Sequence, residues 1–137
     1  MREALKEAQK AFAADEVPVG AVVVCAGQII ARGHNLTEKL NDVTAHAEMQ
    51  CVTAAANHIG GKYLDECSIY ITLEPCVMCA GALFWSQVKE IIYGAPDPKR
   101  GYTSLSQSIL HPKTKVINGI EEEACSEILK AFFIKKR

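Results

Sequence analysis

Two short segments, Thr44-Ala45-His46-Ala47-Glu48 and Leu73-Glu74-Pro75-Cys76-Val77-Met78-Cys79, constrain this chain more than anything else in it. They hold one imidazole and two thiols at metal-ligand spacing, with a carboxylate two residues past the imidazole. Imidazole nitrogen and thiolate sulfur are the usual ligands of tetrahedral zinc, and three protein ligands leave the fourth position open for water. That is the coordination pattern of a catalytic site. Glu48 then has a task other than ligation, moving protons between water and substrate. Any fold must bring the two segments together, and the chemistry they support is hydrolytic.

The spacing also dictates local structure. Cys76 and Cys79 share a face if their segment is helical, and Pro75 suits the first position of that helix. Both thiols then sit in the first turn, where the positive end of the helix dipole favours thiolate. His46 and Glu48 diverge on a regular helix, so they converge only at a helix start, with Thr44 as the expected N-cap. Two other readings stay open on the residues alone. A C-x-x-C pair can be redox-active, though it then needs no H-x-E upstream. A structural zinc site takes a fourth ligand, for which His34, His58 and His111 remain.

Length matters here only because 137 residues suffice for one domain with a real core, residues 1–137 forming a single unit. The 49% apolar and 23% charged content is that of a globular chain, and no apolar run reaches the roughly 18 residues of a membrane span. The charged opening Met1-Arg2-Glu3-Ala4-Leu5-Lys6 is no signal peptide. Cys25, Cys51, Cys67 and Cys125 therefore read as reduced thiols of a cytosolic protein. Net charge is −1 and does not advertise a nucleic-acid partner. Its distribution says slightly more: Lys99, Arg100, Lys113 and Lys115 face only Asp97 between Pro96 and Lys115, and Lys130, Lys135, Lys136 and Arg137 end the chain without an acid.

Periodicity predicts a helix over residues 2–14, with Ala4, Leu5, Ala8, Ala11 and Phe12 on one stripe, then strands over 19–25 and 28–32 joined at Ala26-Gly27. Gly33-His34-Asn35 closes this hairpin, and Leu36 to Val43 is loop. A helix over 46–58 repeats Met49, Val52, Thr53 and Ala56 and stops at Gly60-Gly61. A strand over 68–73 delivers the second motif to a helix ending near Ser86, and a strand over 89–93 ends at Gly94. Residues 97–111 read as a long polar loop, 115–117 as a short strand and 121–133 as a last helix, in which Phe132 and Phe133 pack into the core. The alternation implies an α/β domain with ligands at the carboxyl ends of strands.

Together with Glu16-Val17-Pro18-Val19-Gly20-Ala21-Val22, the two motifs, the second extended as Thr72 to Ala82, resemble the bacterial tRNA adenosine deaminases of the cytidine deaminase superfamily. H-x-E followed by P-C-x-x-C is the signature of zinc nucleobase deaminases. The resemblance runs from Met1 to the C-terminal Phe132-Phe133-Ile134-Lys135-Lys136-Arg137. It implies a three-layer α/β/α cytidine-deaminase-like sandwich with a central mixed sheet of about five strands. It further implies a cytoplasmic homodimer with one zinc per subunit, converting the wobble adenosine of a tRNA anticodon loop to inosine, with no membrane and no DNA partner. By resemblance His46, Cys76 and Cys79 hold zinc and Glu48 is the proton shuttle. Asn35 and Ala47 contact the target nucleoside, Val17, Pro18 and Val19 wall the base pocket, and Asp97 contacts the anticodon loop. The family's Lys-Thr-Gly after the aspartate is replaced here by Pro98-Lys99-Arg100-Gly101. A deaminase of a free base or nucleoside (guanine, cytosine or cytidine) would share every metal residue and remains the alternative.

Overall fold

The computed structural model describes residues 1–137. Helix α1 (Arg2–Ala13) leads into strands β1 (Gly20–Cys25) and β2 (Gln28–His34), followed by α2 (Ala47–Ile59) and β3 (Cys67–Leu73). Then come α3 (Val77–Ser86), β4 (Glu90–Ala95), a single 3-10 turn at Tyr102–Ser104, β5 (Lys115–Ile117) and α4 (Glu122–Lys135). The five strands form one mixed sheet in the order β2-β1-β3-β4-β5. β1 is antiparallel to both neighbours, whereas β3, β4 and β5 run parallel. Ala26 and Gly27 both take positive φ (51° and 75°), the turn geometry that matches the twist of a two-residue hairpin.

Alternation along each strand separates two cores. Ala21 and Val23 of β1, Ile69 and Ile71 of β3, and Ile91 and Tyr93 of β4 pack with Ala47, Cys51 and Ala55 of α2 and Leu83 of α3. On the opposite face α1 lies on β1 and α4 on β4. Two glycines set how close these last helices come. A Cβ on Gly20 would overlap the Ala4 carbonyl and the Ala8 amide of α1, and one on Gly94 would overlap the Cys125 side chain of α4. The result is the expected α/β/α sandwich. Gly20→Ala is therefore expected to cost about 1–3 kcal/mol, because its conflict is with backbone that cannot turn aside. Denaturant unfolding checks this; an unchanged midpoint would mean that α1 is free to lift off the sheet.

Several local expectations are corrected. β2 continues through Gly33 and His34 instead of closing there. Gly94 lies inside β4 and makes room for Cys125 instead of ending the strand. The buried stripe of α2 is Ala47, Glu48, Cys51 and Ala55, while Met49, Val52 and Ala56 are half-buried and Thr53 is exposed. Small side chains face the sheet because α2 sits close to it, with the Cys51 thiol donating to the Ala21 carbonyl at 3.2 Å.

Candidate active site

The two motifs meet at the carboxyl end of β3, where the N-termini of α2 and α3 converge. His46 is the N-cap of α2, with extended backbone (φ −75°, ψ 157°), and Cys76 is the N-cap of α3 (φ −73°, ψ 174°). The first helical residues are thus Ala47 and Val77, so Glu48 and Cys79 fall within the first turns. Thr44 is not the cap: its amide and hydroxyl both donate to Asp42 Oδ1, at 2.8 and 2.7 Å. Nor is Pro75 the first helical residue, since it precedes the cap. Shifting both caps onto ligands leaves His46 and Cys76 with extended backbone, and their side chains reach past the helix ends toward each other.

The donor set fits a tetrahedral metal. Bond lengths of about 2.0–2.1 Å to nitrogen and about 2.3 Å to sulfur give an N···S tetrahedral edge of about 3.6 Å. His46 Nδ1 lies 3.7 Å from Cys76 Sγ and 3.5 Å from Cys79 Sγ. All three ligand atoms fall within 4.8 Å of one another. His34, His58 and His111 are not part of this group, so no fourth protein ligand joins it.

The three donors share protons among themselves, and a bound cation would displace those on Cys79 and His46. The Cys79 thiol donates to Cys76 and holds it down at about 4 against the cost of burial, with His46 helping. Cys79 moves up because it keeps that proton toward Cys76 and is buried, so the expected preference for thiolate holds at Cys76 and not at Cys79. His46 is raised, chiefly by its hydrogen bond to Cys76. Burial pushes Glu48 up to about 7, aided by the Cys76 charge and opposed by a backbone N–H and His46.

A cleft of about 960 Å³ opens over this group. Val17, Val19, Asn35, Ala47, Glu48 and Asp97 all line it, as do the ligands His46 and Cys76. Cys79 is buried beneath. Pro18, expected to wall the base pocket, does not line the cleft; it is fully buried between Val17 and Val19 in the chain. Sequence reading missed the contribution of α4. Leu129, Phe133, Lys136 and Arg137 reach the cleft, and with Lys99 and Arg100 they bring four cations to its rim, of which Lys136 is paired with Asp15. Phe132 is in the core as expected, but Phe133 is 49% exposed. The uncompensated basic tail was the available signal.

Residues 1–137 match the family model of MafB19-like deaminases. The chain is 44% identical to the tRNA-specific adenosine deaminase of Bacillus subtilis (strain 168), over all of this chain and 88% of that one. It is also 44% identical to the tRNA-specific adenosine deaminase of Agrobacterium fabrum, of which it covers 93%. A structure solved in work on A-to-I editing by tRNA:A34 deaminases superposes with TM-score 0.89 at 43% identity, over 94% of this chain and 97% of that one. Guanine deaminase from Bacillus subtilis superposes with TM-score 0.66 at 39% identity, over 69% of this chain and 61% of that one.

Proposed function

Because this chain belongs to the MafB19-like deaminase family, we propose the following reading: it is a hydrolytic deaminase that converts the wobble adenosine of a tRNA anticodon to inosine. One observation carries this, the full-length likeness to tRNA-specific adenosine deaminases with the His-Glu-Cys-Cys constellation complete. The cationic rim suits a polyanion, whereas a free base would not need it. No helix is long and apolar enough to cross a membrane, and action on tRNA suits a cytoplasmic enzyme.

In the reaction water adds to C6 of adenine, the C6–N bond breaks and ammonia leaves. A zinc ion held by His46, Cys76 and Cys79, one per subunit, would supply the Lewis acidity that makes water nucleophilic near neutral pH. Glu48 takes one proton of the attacking water and gives it to the ring nitrogen, then passes the proton of the new C6 hydroxyl to the departing amine as the C6 carbonyl forms. Asn35 and Ala47 hold the nucleoside, Val17 and Val19 wall the base, and Asp97 meets the anticodon loop. A single-stranded loop presents its base already unpaired, which lowers the cost of taking it out of the stack.

The test is deamination by zinc-loaded protein of an adenosine-34 anticodon stem-loop beside free guanine, cytosine, adenosine and cytidine. Inosine at the wobble position alone, with activity falling as salt rises, is the expected result. Turnover of a free base with the stem-loop ignored would transfer the reading to the guanine deaminase type.

A homodimer completes the reading. Val77, Gly81 and Trp85 fall on one stripe of α3, where Val77 is 48% and Trp85 76% exposed and the space over Gly81 is open. A second copy would cover this apolar stripe. Trp85→Glu is expected to shift the protein to monomer in sedimentation; a monomeric wild type would discard the homodimer.

A further inference from the structure

Two buried carboxylates beside the cleft have no part in the chemistry above. Glu16 precedes β1 and Glu74 follows β3, and these antiparallel neighbours bring both to the same end of the sheet, where the Gly20 amide donates to Thr72 Oγ1 at 3.1 Å. Glu16 is 1% and Glu74 3% exposed. Neither forms an ion pair with any Lys, Arg or His. A carboxylate buried without a counter-charge is costly unless hydrogen bonds replace its water. Here every replacement comes from a loop that lines the cleft.

Glu16 Oε1 accepts the Lys39 amide at 2.7 Å, and its Oε2 accepts the Glu38 amide at 3.1 Å, the Thr37 hydroxyl at 3.2 Å and the Asn35 side-chain amide at 3.4 Å. Glu74 Oε1 accepts the Asp97 amide at 3.2 Å, while its Oε2 accepts the Thr103 amide at 3.1 Å and the Thr103 hydroxyl at 2.9 Å. A second observation concerns Gly101. Its backbone (φ −65°, ψ 148°) is open to any residue, yet a Cβ there would overlap the Glu74 carboxylate. Close approach of the loop to that carboxylate is what excludes a side chain.

We propose that Glu16 and Glu74 are positioning residues, each clamping one loop of the cleft before substrate arrives. Glu16 fixes residues 35–39 and so the aim of Asn35. Glu74 fixes residues 97–103 and so the rim carrying Asp97, Lys99 and Arg100. Three or four donors converging on one carboxylate hold a loop more firmly than a single bond does, and a pre-set loop spares the ordering cost at binding. An apolar residue would fill the same space but could not gather three or four donors. The proposal rests on the deaminase reading for its functional consequence, though the clamps themselves can be tested without it.

The experiment compares wild type with Glu16→Gln, Glu74→Gln and Gly101→Ala. Glutamine keeps the shape but turns an N–H against the loop donors. Amide hydrogen exchange is expected to rise about tenfold or more in residues 37–39 for Glu16→Gln, and in 97–103 for the other two, with metal content unchanged. With the stem-loop, Glu16→Gln is expected to lower kcat by about 10- to 100-fold, the scale of a small misplacement. Glu74→Gln and Gly101→Ala are expected chiefly to raise KM about tenfold, through the displaced cationic rim. Exchange unchanged in both segments would overturn the proposal. So would a uniform rise in exchange with unaltered kinetics in the folded fraction, which is the mark of a merely structural role. A wild type inert on the stem-loop would instead count against the deaminase reading, and the exchange arms would still decide on the clamps.

Discussion

Glu48→Ala is expected to keep its metal at wild-type stoichiometry and to lose about 10³- to 10⁴-fold in kcat, the upper range for removing a positioned acid–base group. Glu48 sits in the first turn of α2, two residues from His46, and lines the cleft although it is almost wholly buried. It is not one of the three clustered ligands, so the donor set survives its loss. Substrate binding depends on the cleft walls and the cationic rim, so KM is expected to move little. Glu48→Gln refines the test, because it retains volume and hydrogen bonding but cannot carry the proton. Equal losses in Ala and Gln variants place the effect in proton transfer. A Gln variant that kept most of the rate would assign Glu48 to packing and leave the proton route to another group. Stopped assays of ammonia release, run beside metal analysis of each variant, provide both readouts.

The parts of this architecture that were legible in the sequence are those decided by neighbours along the chain. The i, i+3 spacing of Cys76 and Cys79 and the H-x-E pair pointed to two helix starts, and both ligand segments do open helices. What escaped is decided by partners far away. Glu16 finds its donors 19 to 23 residues on, and Glu74 finds its own 23 and 29 residues on. No local pattern shows such pairings. Phe133, Lys136 and Arg137 reach the cleft only because α4 packs on β4, which periodicity does not reveal. The misread stripe of α2 has the same origin. Hydrophobicity favoured Met49 and Val52 as the inward face, but the close approach of the helix to the sheet selects Ala47, Cys51 and Ala55.

Cys79→Ala is expected to have the largest effect of all, reducing turnover to background, a loss of at least about 10⁶-fold if the metal supplies the usual share of an enzymatic rate enhancement. Cys79 closes the third corner of the donor set, 3.5 Å from His46 Nδ1, and is fully buried beneath the cleft. Two remaining donors, one imidazole and one thiolate, fall short of the three protein ligands that a catalytic zinc site takes. Bound zinc should fall well below one per chain. The fold should persist, because the core of α2 and α3 against the sheet contains none of His46, Cys76 and Cys79 and so does not pass through the metal. Stability separates this outcome from simple misfolding. A ligand that binds only the native state raises its melting temperature, so a chelator should lower the Tm of wild type. The same chelator should leave the Tm of Cys79→Ala unmoved, since that variant has no bound metal to lose. A variant that retained stoichiometric zinc, or a wild type whose Tm and turnover ignored the chelator, would remove His46, Cys76 and Cys79 from the role of metal ligands and return the C-x-x-C pair to redox chemistry.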